Sequence, residues 1–161
     1  MKTDNNKPER KVHRLKDFDY SSCGAYFITF NTKGGARLSE IQGAADDCRD
    51  DTAVYLLQSG RMLDSIIKRL NDTYETVNTA HYVIMPNHVH MIIETGENNT
   101  ISISCFVGLI KRLFNKEYGG NIWQKSFYDH IITSEEDYCY HCQYIDENPK
   151  KWSMGKDKYY V

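Results

Sequence analysis

Hydrophobic positions along the chain change period several times, and each change predicts an element. CGAYFITFNT (23–32) crowds β-branched and aromatic residues and stops at Gly34-Gly35, which predicts a strand and then a turn. Residues 36–51 are polar and acidic and predict a loop or a short helix. Ala53–Leu57 is a short strand candidate. From 59 to 72, Met62, Leu63, Ile66, Ile67 and Leu70 recur at helical spacing, an amphipathic helix. Thr76–Met85 predicts a strand that Pro86 ends. His88–Thr95 predicts a second, paired with the first across the short Pro86-Asn87 link. Ile103, Phe106, Val107, Ile110, Leu113 and Phe114 make the clearest helical stripe, closed by Gly119-Gly120. Phe127–Ile132 predicts a strand. Ser134 then reads as a helix N-cap with Asp137 three residues on, and Glu135 and Glu136 suit the positive end of the helix dipole. This helix is expected to end near Asn148, because Pro149 has no N–H to continue it.

The order is strand, helix, strand, strand, helix, strand, helix, with extra short elements. It predicts an α+β fold: a mainly antiparallel sheet with helices on one face, of the ferredoxin-like split βαβ kind. Residues 1–19 are expected to form a flexible basic arm, and 20–161 a single domain. At 161 residues, with 40% hydrophobic and 26% charged, the chain is large enough for a core and is not of disordered composition. No apolar run approaches the roughly 18 residues of a membrane span, and MKTDNNKPERKVHR lacks the apolar stretch of a secretory signal, so the cytoplasm is expected. Five irregularly spaced cysteines make no disulfide framework, and Cys139-x-x-Cys142 has no second ligand pair for zinc. The net charge of −2 does not announce nucleic-acid binding. Basic residues nevertheless gather at both ends, and acid at Asp46, Asp47, Asp50 and Asp51.

Two constellations carry chemistry. In His88-Val89-His90 both imidazoles leave one face of a strand while Val89, Met91 and Ile93 leave the other. Such a pair supplies two ligands for a divalent metal, or is simply an exposed pair. On the last helix, Tyr144 and Asn148 are i and i+4, with His141 close to the same face. That face is either solvated or functional. Taken together, two histidines and a side-chain carbonyl leave open positions on a metal, with a tyrosine one turn away. This arrangement suits attack on a phosphodiester.

YVIMPNHVHMII (82–93), NIWQKSFYDHII (121–132) and YIDENP (144–149), in this order and spacing, resemble the single-tyrosine HUH transposases, in the branch called REP-associated tyrosine transposases. The resemblance runs from about Tyr26 to Trp152. It implies a ferredoxin-like fold with the histidine strand central. It implies that His88 and His90 bind Mg2+ or Mn2+, with Asn148 as third ligand at a position often Gln in the family. Tyr144 would be the nucleophile that cleaves and rejoins hairpin-flanked single-stranded DNA through a 5′-phosphotyrosine. His130 matches a recurrent position near the active site, and His141 is a further neighbour. Lys111, Arg112 and Lys116, with Arg10, Lys11 and Arg14 of the arm, are candidates for phosphate contacts. Relatives include dimers that share the tyrosine helix between subunits and also monomers, so a homodimer is one implied arrangement. Three other readings compete: a catalytically silent hairpin-binding module, a metal-dependent phosphoesterase using water, and a zinc protein built on Cys139, His141 and Cys142.

Overall fold

The structure, a computed structural model, describes residues 23–46 and 48–159. The arm expected over 1–19, with Arg10, Lys11 and Arg14, lies outside the described residues. The elements in chain order are β1 (Gly24–Asn31), β2 (Ser39–Gln42), β3 (Ala53–Leu56), α1 (Gln58–Thr73), β4 (Val77–Ile84), β5 (His88–Thr95), α2 (Ile103–Tyr118), β6 (Tyr128–Ile132) and α3 (Glu135–Ser153). Four strands form one sheet in the order β4-β5-β1-β6, every pair antiparallel. With α1 between β1 and β4, and α2 between β5 and β6, this is the split βαβ arrangement. β2 and β3 pair as a separate ribbon.

The register sorts the sheet into two faces, because residues opposite one another point the same way. Tyr26, Ile28 and Phe30 of β1 join Val89, Met91 and Ile93 of β5 against the buried stripes of α1 and α2. On the other face Phe27 lies opposite both Ile92 and His130, and Thr29 lies opposite both His90 and Tyr128. Here the expectation of helices on one face is corrected: α3 covers this second face. Phe27 and Ile92 leave apolar surface there, and Ile145 of α3 buries it, with Cys142, Tyr138 and Tyr144 around the rim. Each such buried side chain contributes roughly 1.5–3 kcal/mol, so a small cluster suffices to dock one helix.

Two further expectations are corrected. The loop or short helix expected over 36–51 contains β2, whose Glu40 and Ile41 pair with Tyr55 and Val54 of β3. The ribbon is held where Leu38, fully buried, passes over Gly60 of α1. A Cβ at residue 60 would lie 2.1 Å from the Leu38 carbonyl oxygen, so this crossing requires glycine. The last helix does not stop near Asn148 but runs through Pro149 to Ser153. Proline's fixed φ is helical, and the lost bond to Ile145 is offset because the following turn is anchored by buried Trp152. The helix then closes at Gly155, at φ +65°, with its N–H donating to the Trp152 carbonyl at 2.9 Å. No helix among the described residues is long and apolar enough to cross a membrane.

Candidate metal and nucleophile site

The α3-facing side of β5 carries His88 and His90, both fully buried. Their outer nitrogens are fixed by neighbours. The His88 Nδ1–H donates to Asn87 Oδ1 at 2.8 Å, and Asn87 is itself oriented because its Nδ2 donates to the Tyr159 carbonyl at 2.8 Å. The His90 Nδ1 lies 2.6 Å from the Thr29 hydroxyl on β1. Both Nε2 atoms are buried without a hydrogen-bond partner. Burial is the main force lowering both histidines, to about 3 for His88 and about 2 for His90; the His88 charge adds to the effect on His90. Both imidazoles are therefore neutral at physiological pH, and the bond from Nδ1–H to Asn87 leaves the lone pair of His88 on Nε2.

Asn148, also fully buried, donates from Nδ2 to the Tyr144 carbonyl at 2.7 Å, which leaves its Oδ1 as a third buried atom without a partner. That oxygen acts on both histidines and favours their charged forms, the sign expected of an oxygen lone pair aimed at them. An unsatisfied buried polar atom costs about 1–3 kcal/mol. Three of them sharing one place, each a Lewis base, fit a divalent cation well.

Tyr144 stands beside this group. Its ring meets the His90 ring edge-on at 5.2 Å between centroids and the Phe27 ring at 5.7 Å. The Lys151 ammonium lies 4.9 Å from the Tyr144 ring centre. Burial raises the Tyr144 hydroxyl above its ordinary value, while Lys158 and the Asn148 side chain pull the other way.

Sequence reasoning missed several members. Asp157, in the segment after α3, is buried, and its carboxylate oxygen lies 4.0 Å from His88 Nε2. His88, His90 and Asp157 each place a ligand atom within 4.8 Å of the others. Burial raises the Asp157 carboxyl. Tyr159 lays its ring over His88 at 4.5 Å. Only Asn87 and Thr29 carried any signal, through adjacency to His88 and strand pairing with His90.

Other predicted residues fall elsewhere. His130 and His141 meet one another, with Phe27 between them and His90: the Phe27 ring is 4.5 Å from His141 and 5.4 Å from His90. Lys111 is half-buried on α2 and donates to the Gln124 and Ser126 carbonyls at 3.0 and 3.2 Å; burial lowers it to about 8. Arg112 and Lys116 are exposed, but α2 packs on the face opposite Tyr144. Among the described residues, the cations beside Tyr144 are Lys151 and Lys158. Trp123, within the 121–132 motif, is buried between Phe30 and Phe114 and is a core residue. Among the described residues, neither cluster of converging ligand atoms includes Cys139 or Cys142.

No protein-family model matches the chain. A REP-associated tyrosine transposase of Escherichia coli (strain K12) is 35% identical over 138 residues, covering 85% of this chain and 73% of the relative. An uncharacterized protein of Haemophilus influenzae (strain Rd) is 29% identical over 178 residues, covering 94% and 93%. A solved structure of a REP-associated tyrosine transposase bound to a REP hairpin superposes with a TM-score of 0.64 at 26% identity, covering 90% of this chain and 76% of that one. The extent of these matches, together with the fold, shows that the chain belongs to the REP-associated tyrosine transposases.

Proposed function

We propose that this chain cleaves and rejoins single-stranded DNA beside a hairpin, with Tyr144 as nucleophile and His88, His90 and Asn148 as the metal ligands. One observation carries the reading: three buried, unpartnered Lewis-base atoms gather one helical turn from a tyrosine on the same face. Mg2+ or Mn2+ bound there would supply Lewis-acid stabilisation of charge developing on the scissile phosphate.

The chain's own residues do the rest. The Tyr144 phenolic oxygen attacks phosphorus, and the bond from phosphorus to the 3′ oxygen breaks. The phenolic proton is lost and the departing oxygen gains one, so the products are a 5′-phosphotyrosine and a free 3′-OH. Attack by a 3′-OH reverses these steps and rejoins the strand without an external energy source. Neutral His88 and His90 keep their lone pairs available throughout the physiological range. Lys158 favours the Tyr144 phenolate, and Lys151, against the Tyr144 ring, adds positive charge that favours phosphate approach. The docking of α3 on its own sheet through Ile145 supports a reading in which Tyr144 works with the metal ligands of its own chain. Hairpin DNA as partner rests on the relative solved with a REP hairpin.

The test is covalent trapping on hairpin-bearing oligonucleotides from the flanks of the gene. A metal-dependent adduct that survives SDS and disappears with Tyr144→Phe is expected. Cleavage without an adduct, unchanged by Tyr144→Phe, would replace this mechanism with water attack.

A further inference from the structure

A second group of ligand-type side chains lies on the same sheet face, beyond Phe27. β6 projects His130 toward α3, where Asp137 and His141 occupy i and i+4 in the first turns. His130 Nε2 lies 2.9 and 3.1 Å from the two Asp137 carboxylate oxygens. His141 Nδ1 lies 3.1 Å from Asp137 Oδ1 and 2.8 Å from the Asp137 main-chain oxygen. The three residues each bring a ligand atom within 4.8 Å of the others. The two imidazoles stack at 4.7 Å between centroids. Asp137 also accepts from the Thr133 N–H at 3.1 Å, which aims its carboxylate at the histidines. Burial acts to raise this carboxyl, but the hydrogen bonds and the two histidines lower it overall, so it is an anion at neutral pH.

We infer that His130, Asp137 and His141 form a second divalent-metal site, of the class that takes Zn2+. Metal–ligand bonds of about 2.1 Å place neighbouring ligands about 3.0–3.4 Å apart, and the separations from Asp137 to both histidines are of this size. Two imidazoles and one carboxylate form a donor set that binds Zn2+ more tightly than Mg2+, as the affinity order of divalent metals for nitrogen ligands requires. The metal replaces the protons that the two histidines share with Asp137. Those protons move to the opposite ring nitrogens, so both imidazoles stay neutral and none is released. The site is open on one side, since the His130 side chain is 39% exposed, which leaves an entry path and room for water. Its role is mechanical: it ties the start of α3, the helix that carries Tyr144 and Asn148, to the edge strand β6. The site stands apart from the histidine pair of β5 and does not depend on tyrosine chemistry.

The experiment counts Zn2+ equivalents on the EDTA-stripped full chain by competition with a chromophoric chelator, with Co2+ absorbance as a second readout. The chain with His88→Ala/His90→Ala is expected to retain one tight equivalent. Adding Asp137→Asn, which preserves side-chain shape, is expected to remove it, as is His130→Ala. The affinity lost should exceed the roughly 10–100-fold that removal of an outer partner costs. Should the doubly substituted chain fail to fold by circular dichroism, the parental chain and its Asp137→Asn form decide alone, with a loss of one equivalent expected. The inference is overturned if no equivalent survives His88→Ala/His90→Ala, or if Asp137→Asn leaves the count unchanged. In either event the three residues are a hydrogen-bonded cluster only.

Discussion

The buried neutral histidines make the metal-free chain sensitive to mild acid. In the folded chain His88 and His90 sit at about 3 and about 2, against about 6.5 when unfolded. Between these values the unfolded chain binds more protons, so stability rises with pH. The contribution is fully present above 6.5 and is lost as pH falls toward 3. At pH 5 each unfolded histidine is favoured by about 2 kcal/mol, which follows from the distance below 6.5 and not from how far below 5 the folded values lie. The pair therefore costs about 4 kcal/mol at pH 5, a large part of the roughly 5–15 kcal/mol that holds a domain. Asp157, raised by burial, has the opposite sign: its protonation stabilises the fold as pH falls. A difference measurement isolates the histidines. Urea unfolding at pH 7 and pH 5, in EDTA, compares the parental chain with His88→Ala/His90→Ala. The parental chain should lose about 4 kcal/mol more between the two pH values. Equal losses in the two chains would refute the claim that these imidazoles are buried and neutral.

Other substitutions test separate parts of the account. Asn148→Ala removes the third Lewis base and should weaken Mn2+ binding at the β5 histidines by at least about 10-fold, read by Mn2+ electron paramagnetic resonance; unchanged affinity would exclude Asn148 as a ligand. Ile145→Ala opens a cavity between α3 and the sheet and should cost about 2–5 kcal/mol in urea unfolding, most of it from the docking of α3. Gly60→Ala drives a Cβ into the Leu38 carbonyl oxygen and should destabilise by about 1–3 kcal/mol; a neutral result would mean that the ribbon shifts freely over α1.

Much of the site was legible because it rests on short-range periodicities. The alternation of a strand places His88 and His90 together whatever the tertiary fold, and i, i+4 spacing places Tyr144 over Asn148. The side of the sheet that α3 takes was less legible, since that helix has only Ile145 and Trp152 as fully apolar buried anchors. A signal did exist: Phe27 and Ile92 are apolar on the histidine face, and β5 is buried along nearly its whole length, as a strand covered on both sides must be. β2 escaped because four residues with one apolar side chain show no alternation. Asp157 escaped because a tail that folds back onto a site leaves no periodic trace. Pro149 misled for a physical reason, since tertiary anchoring by Trp152 outweighs one missing backbone hydrogen bond. Lys111 looked like a free cation on the flank of a helix, whereas its ammonium is committed to the carbonyls of the 124–126 loop.

The proposed reaction attaches Tyr144 covalently to DNA. The most direct measurement is peptide mass spectrometry of the protein after reaction with a hairpin oligonucleotide and Mn2+, followed by nuclease digestion. A 5′-phosphonucleotide is expected on the peptide that contains Tyr144, absent in EDTA. An adduct on another of the chain's tyrosines, or cut DNA with no modified peptide, would contradict it.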